Sequence, residues 1–176
     1  MNDLIKALEL SINNKNWYGA LFLALCIPDI CGYIESPKKK SQDRYEQWFK
    51  EYMLSKYSFC VGPEHTPQVF LSPSDCYALR CAILHEGRDV ILEQNAREAL
   101  DRFHFIEPPP RGIQIHCNRI NNNILQLQVD IFCNDMINGL RKWQQNIHKI
   151  PDIEQRFKNI LKVYPSIQIP KMSDTK

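Results

Sequence analysis

Arg80 and His85 are the two side chains of this chain whose types and spacing best suit chemistry, and both lie in the segment 72–87. An arginine stays protonated and presents its N–H donors in a rigid fork that matches phosphate or carboxylate oxygens. A histidine can give or take a proton near neutral pH. Together, such residues can hold an anionic group and move a proton beside it.

The segment that carries the pair predicts one helix with both ends marked. Ser72 suits the N-cap, Pro73 suits the first helical position, and Asp75 is placed to answer the cap. Gly87 is a typical C-terminal stop. The helix is therefore expected to begin after Ser72 and to end before Gly87.

The two faces of this helix differ. The residues within roughly 60° of Arg80 on a regular helix are apolar, namely Cys76, Tyr77, Ile83 and Leu84. The opposite face carries Ala78, Ala82, Asp75 and His85, which are small enough for another helix to approach closely. A partly buried guanidinium needs an anionic partner, and Asp29, which lies in an otherwise apolar segment, is a candidate. The alternative is that Asp29 caps a helix that resumes after Pro28.

The spacing of the pair sets a geometric condition. Five positions on a regular helix separate Arg80 and His85 by roughly 140°. They can contact one substrate only if the helix ends near His85 or if a second subunit contributes the other residue.

The stretch from Leu79 to His85, which reads Leu-Arg-Cys-Ala-Ile-Leu-His, resembles the signature of HEPN domains. These are small helical bundles found in bacterial toxins, antiviral defence systems and RNA-processing enzymes, and their motif is an Arg, four to six residues, then a His. Many are metal-independent RNases in which two motifs face each other across a dimer. The residue after the Arg is often polar in this family, whereas here it is Cys81.

The resemblance implies an endoribonuclease with Arg80 and His85 as catalytic residues and with Cys81, Glu86 and Asp29 in support. It implies a homodimer that acts on RNA, with an antitoxin or another defence-operon protein as a further partner, and with no metal and no cofactor. Cleavage would use the 2′-OH of the RNA itself, with His85 as base and Arg80 on the phosphate.

Three other interpretations stay open at this point. The first is a HEPN-like module that binds RNA, a nucleotide or a protein without cutting, which Cys81 favours. In the second, Arg80 is a structural ion-pair member and His85 caps the helix end. The third is a thiol hydrolase built on Cys81 and His85, four positions apart. The pattern alone is not specific, since Arg97/His104, Arg111/His116 and Arg141/His148 match it too.

The first half of the chain predicts helices. We expect them at 2–12, from Trp17 to about Tyr33 with Pro28 bending or interrupting it, and at 42–57. The linker before the third helix carries Lys38, Lys39 and Lys40, which are either solvated or contact RNA phosphates. Residues 58–71 contain Gly62, Pro63 and Pro67 and predict a loop.

The second half changes period. A polar helical segment is expected at 90–100, followed by three runs that alternate every two residues. They predict an antiparallel three-stranded meander at about 102–129, with Asn121-Asn122-Asn123 as one turn and His104 and His116 facing each other. A metal site at these two histidines lacks a clear third ligand. A long helix then follows with the buried stripe Phe132, Met136, Leu140, Trp143 and Ile147, and Gly139 allows a close neighbour.

Composition limits the class of protein. The 176 residues, with a formal charge of +2, suit one mainly α domain at 1–165, followed by a loosely held tail at 166–176. The longest apolar run, 20–27, is too short to span a bilayer, and the N-terminus lacks the basic region of a leader. Seven cysteines without a C-x-x-C pair indicate reduced core thiols of a cytoplasmic protein.

Overall fold

The computed structural model describes residues 1–149 and 152–164. Within these residues the chain is mainly helical. The α-helices are α1 (Asn2–Asn13), α2 (Trp17–Glu35), α3 (Ser41–Tyr52), α4 (Pro73–Cys81), α5 (Val129–Asn146) and α6 (Ile153–Lys158), and 3₁₀ turns lie at Leu54–Lys56, Pro110–Gly112 and Ile147–Lys149. The strands are β1 (Ser58–Val61), β2 (Thr66–Val69), β3 (Arg102–Ile106), β4 (Asn118–Ile120) and β5 (Ile124–Gln128). The tail predicted at 166–176 lies outside the described residues.

Helix α2 is the central element, and it packs against α1, α3, α5 and α6. It begins at Asn16, whose Oδ1 accepts a hydrogen bond from the Gly19 amide, and it continues through Pro28. The expected interruption at Pro28 is therefore wrong. Among the described helices, α2 alone has the length and hydropathy of a membrane span, but half of the span is buried inside the protein. Its apolar surface thus packs against the other helices.

Helix α5 packs its predicted stripe into the same core. Phe132, Met136, Leu140 and Trp143 are fully buried. A Cβ on Gly139 would lie 3.0 Å from the Met53 sulfur and 3.0 Å from the Trp48 ring. Any larger residue would force those side chains to move, so the predicted role of Gly139 in close packing is confirmed.

Helix α4 has the predicted N-terminus and a different C-terminus. The Ser72 hydroxyl accepts a hydrogen bond from the Asp75 amide at 3.1 Å, and Pro73 is the first helical residue. After Cys81 the chain widens into a π-helical turn, Ala82–Glu86. Gly87 ends that turn with a φ of 66°, and its amide donates to the Ala82 and Ile83 carbonyls. The predicted stop at Gly87 is confirmed, while the regular helix ends one turn earlier.

The segment 58–71 contains a hairpin, not the predicted loop. Strands β1 and β2 pair antiparallel, with Cys60 opposite Pro67. A proline lacks an N–H donor but is tolerated on an edge strand, and both strands of a two-stranded sheet are edges. Gly62 lies in the turn between them with a φ of 74°.

The second sheet differs from the predicted meander. Its order is β3-β5-β4, with β3 parallel to β5 and β4 antiparallel to β5. One of the three alternating runs that predicted the meander, at 113–117, forms no strand, and Ile113 in it is exposed. The predicted turn at Asn121-Asn122-Asn123 is confirmed, and Asn121 and Asn122 both have positive φ angles, which asparagine tolerates well. Alternation every two residues does not indicate strand direction, which explains the error.

The helix expected at 90–100 is also absent. The Asp75 carboxylate, which is 1% exposed, accepts hydrogen bonds from the amides of Glu98, Ala99 and Leu100. Those amides would otherwise donate along a helix. Asp75 therefore holds a distant loop and does not complete the cap of its own helix.

Candidate functional site

The π-helical turn joins the two residues of the predicted pair. The Arg80 Nη1 atom lies 2.9 Å from the His85 Nε2 atom. On a regular helix these residues diverge, but the i→i+5 hydrogen bonding of a π turn lets residues five positions apart approach each other. The condition set by the spacing is therefore met within one chain.

Asp29 on α2 is the anionic partner of Arg80. The Arg80 Nε atom donates to Asp29 Oδ2 at 2.5 Å, and the Ser41 hydroxyl donates to Asp29 Oδ1 at 3.1 Å. Asp29 lies inside α2, so the alternative in which it caps a resumed helix is wrong. Residues from α2, α3 and α4 thus meet at one carboxylate.

The Asp29–Arg80 pair is close to solvent. The side chains of Arg80 and Asp29 are 18% and 19% exposed, while His85 is exposed. Burial lowers the pKa of Arg80, but the Asp29 carboxylate and the Cys81 thiol raise it by more, so the net shift is upward. Arg80 is therefore a fixed cation that solvent and small anions can reach.

The two other predicted supporting residues differ in position. The Cys81 sulfur lies 3.8 Å from Arg80 Nη1, so it belongs to the cluster. Glu86 points elsewhere, with hydrogen bonds to Arg88 at 3.3 Å and to Gln94 at 2.9 Å. Glu86 was predicted to support Arg80, but its hydrogen-bond partners are Arg88 and Gln94.

Three of the seven thiols of this protein are unsuited to act as nucleophiles. None of the seven cysteines, all of which lie in the described ranges, forms a disulfide. Burial raises the pKa of Cys76, Cys117 and Cys133 to about 12, so they remain protonated at neutral pH. Cys81 contacts Arg80 and makes no hydrogen bond with His85 within the described structure, which leaves the thiol-hydrolase interpretation without its base.

In two of the competing Arg…His matches the arginine forms an ion pair elsewhere. Arg97 pairs with Asp101 at 2.5 Å, and Arg141 pairs with Glu9 at 2.6 Å. His104 lies opposite Gln126 in the sheet, so the expected approach of His104 to His116 is wrong. No group of three or more metal-binding side chains occurs among the described residues.

An open cavity of about 580 Å³ adjoins the cluster, and we call it the arginine cleft. Its polar lining consists of Asp29, Ser41, Arg44, Arg80, Arg156 and Asn159. The sequence did not point to Ser41, Arg44 or Arg156, because isolated polar residues on different helices carry no local pattern. Lys38, Lys39 and Lys40 are exposed in the loop between Pro37 and Ser41, both of which line the cleft.

A second cavity, of about 540 Å³, lies beyond Gly87 and is rich in aromatic side chains. Those aromatic residues are Trp17, Tyr18, Phe22, Phe103 and Phe105. Tyr18 is 81% exposed and Phe22 is 41% exposed, so both rings are open to solvent at this cavity. Ile83 of the π-helical turn lines this second cavity, whereas Arg80, which precedes the turn, lines the arginine cleft.

The face of α4 with Ala78 and Ala82, which was expected to let another helix approach closely, is already occupied within the chain. Ala78 and Ala82 are both fully buried inside the protein. These small residues allow other elements of the same chain to pack against α4. They cannot also form an interface with a second copy.

Comparison of the chain with protein-family models, with curated proteins and with solved structures found no match.

Proposed function

We propose that this protein is a metal-independent endoribonuclease of the HEPN type, with Arg80 and His85 as its catalytic residues. The observation that supports this most is the contact between Arg80 Nη1 and His85 Nε2, 2.9 Å apart, which joins a phosphate-binding group to a proton-transfer group. Asp29 holds the Nε side of the same guanidinium, which orients its fork.

The contact with Arg80 supports Nε2 of His85 as the base. A guanidinium N–H can only donate, so Nε2 accepts and the proton of the neutral imidazole is on Nδ1. When phosphate oxygens of RNA take over the Arg80 donors, Nε2 is released. It then lies beside the bound phosphate, where a 2′-OH can reach it.

The proposed reaction is an internal transfer at phosphorus. His85 Nε2 accepts the 2′-OH proton, the O2′–P bond forms, and the P–O5′ bond breaks. Arg80 stabilises the negative charge that develops on the phosphate oxygens. The departing 5′ oxygen takes a proton from water, so the products are a 2′,3′-cyclic phosphate and a 5′-hydroxyl.

The surroundings of the pair support RNA as the substrate. The arginine cleft suits the anionic backbone, while exposed Tyr18 and Phe22 offer faces on which bases can stack. The toxin or defence role, the homodimer and the operon partner remain predictions of the HEPN resemblance. A dimer would need a surface other than the Ala78 and Ala82 face.

A second candidate function is RNA binding without cleavage. It is favoured by the Asp29 contact, because a guanidinium already paired with a carboxylate has fewer donors for a transition state. Cys81, which takes the place of a polar residue, favours it as well.

One experiment separates the two functions. Purified protein is incubated with mixed RNA and EDTA, and the fragment ends are analysed for 2′,3′-cyclic phosphate. A matched substrate with 2′-deoxy residues is the control, because it cannot form the cyclic product. We expect cyclic ends from RNA alone. If the protein binds RNA but leaves it intact, the nuclease proposal is wrong and the binding function takes its place.

A further inference from the structure

The arginine cleft brings three guanidinium groups around a single carboxylate. Arg44 comes from α3, Arg80 from α4 and Arg156 from α6, and Asp29 is the one acidic residue among the described residues that line the cleft. Like charges gathered at one cavity repel one another, so an anion bound among them is stabilising. Asp29 supplies one such charge, and Arg80 already binds it at 2.5 Å.

Two of these arginines are anchored by backbone carbonyls. Arg44 Nη1 donates to the carbonyls of Pro37 and Lys39, and Arg156 Nη1 donates to those of Ile34 and Glu35. These contacts are with uncharged acceptors, and they hold both side chains in place. Pre-organised donors of this kind lose little freedom when a ligand binds.

The hydrogen-bond donors of the cleft exceed its acceptors. Each guanidinium has five N–H groups, and the carbonyl contacts of Arg44 and Arg156 use only the Nη1 end of each. The Arg44 Nε atom is buried and has no partner within the described structure. Because that atom is closed to solvent, a ligand would bind the remaining donors, and a ligand with several oxygens would accept from more than one arginine.

We infer that the arginine cleft binds a phosphate group of the RNA strand next to the phosphate that is cleaved. The phosphate chemistry rests on the cleft itself, while RNA as its carrier rests on the proposed function. Phosphate matches the geometry of an arginine fork and carries enough oxygens for several donors.

The lysines at the rim favour a polymer over a free nucleotide. Lys38, Lys39 and Lys40 are exposed between two residues that line the cleft, and none of them has an ion-pair partner in the described ranges. Lys39 donates to the uncharged Gln47 side chain at 2.8 Å. Positive charge therefore continues from the cleft onto the surface, as expected for a strand that extends past it.

The test measures binding of a fluorescent, fully 2′-O-methylated oligonucleotide, which lacks the hydroxyl needed for cleavage. Leu161 lines the cleft and is 90% exposed, so Leu161→Glu adds a negative charge there without disturbing the core. Val163 is 93% exposed and does not line the cleft, so Val163→Glu is the matched control. We expect Leu161→Glu to raise the Kd about threefold to fivefold, as for one exposed charge contact. Val163→Glu should change it by clearly less.

Two further measurements define the ligand. Raising the salt concentration should weaken wild-type binding and reduce the difference between wild type and Leu161→Glu, because both effects are electrostatic. Adenosine monophosphate and inorganic phosphate are tested as competitors. Weak competition supports a strand as the ligand, whereas competition as strong as that of the oligonucleotide would overturn the choice of a strand over a free nucleotide.

The outcomes separate this inference from the proposed function. If both glutamate variants bind the uncleavable oligonucleotide equally well, the cleft does not hold its phosphate and the inference is wrong, even when wild-type protein cuts RNA. If Leu161→Glu weakens binding while no cyclic phosphate product forms, the cleft inference stands and the nuclease proposal fails.

Discussion

The two ends of α4 each hold an acidic side chain in a network of hydrogen bonds, but the networks differ in kind. At the N-terminal end, Asp75 is 1% exposed and binds only backbone amides of the loop at 98–100. At the C-terminal end, Asp29 binds the side chains of Arg80 and Ser41 beside an open cleft.

The difference separates a structural carboxylate from one at a candidate site. The carboxylate oxygens of Asp75 already accept hydrogen bonds from backbone amides of the same chain, so they are not free to bind a ligand. Arg80, by contrast, contacts both Asp29 and His85 and faces the cleft, where anions can enter. Exposure and unsatisfied donors, more than the presence of a charge, therefore indicate where chemistry can occur.

The largest expected effect is at the structural end. Asp75→Ala should lower the free energy of unfolding by about 3–5 kcal/mol, because it removes the buried carboxylate that accepts hydrogen bonds from three backbone amides. Urea denaturation measures the change. Asp43→Ala is the matched control, since Asp43 also lies in the first turn of a helix but is exposed, and it should cost less than about 0.5 kcal/mol. If Asp75→Ala lowered the free energy of unfolding as little as Asp43→Ala does, the structural role of Asp75 at this end of α4 would be wrong.

The next effect is on catalysis at the other end. Arg80→Ala and His85→Ala should each reduce RNA cleavage about a hundredfold or more while the protein stays folded. Water can solvate Asp29 in the Arg80 variant because the pair is about one-fifth exposed. Cleavage rates and circular dichroism are measured together. Arg141→Ala removes an exposed arginine that pairs with Glu9, and it should leave cleavage unchanged. An Arg80→Ala protein that unfolds would instead assign Arg80 a structural role.

A smaller effect tests the π-helical turn. Gly87 has a φ of 66°, and a Cβ at this position would have no atom within 4 Å, so Gly87→Ala strains only the backbone, by about 1 kcal/mol. We expect cleavage to fall about tenfold because the turn that joins Arg80 and His85 would shift. Gly62→Ala is the control, with a φ of 74° and equally open surroundings in the hairpin. Equal cleavage in both variants would show that the turn does not set the geometry.

The smallest effect concerns a half-buried histidine, His116, that contrasts with exposed His85. Burial lowers the pKa of His116, although Asp135 and Asp130 oppose the shift. The unfolded chain therefore binds this proton more readily, so the free energy of unfolding should fall as the pH drops below about 6.5. His116→Asn should flatten that decline in urea titrations across this pH range. His65→Asn, at an exposed position with a positive φ, should not alter it.

Local signals in the sequence were sufficient for several features. The Ser72 cap, the stop at Gly87, the stripe on α5 and the turn at Asn121-Asn122-Asn123 all depend on residues close together in the chain. The mainly helical class follows from the same short-range periodicity.

The sequence also indicates that Arg80 needs an anionic partner, because the residue lies on an apolar helix face. A guanidinium cannot lose its proton, and Asp29 is a candidate because a carboxylate in an apolar segment has the same need for an opposite charge. The sequence did not decide between that pairing and a helix cap at Asp29, since both are compatible with the residues around Pro28.

Only the tertiary structure decided the remaining features, because they depend on residues far apart in the chain. The amides at 98–100 bind Asp75 instead of forming a helix, and β3 pairs parallel to β5 because the chain crosses over before β4. The arginine cleft takes Arg44 and Arg156 from helices more than a hundred residues apart in sequence. Sequence determined which residues favour helices, caps and charge pairs, whereas packing determined which of those charges meet and which remain open to a ligand.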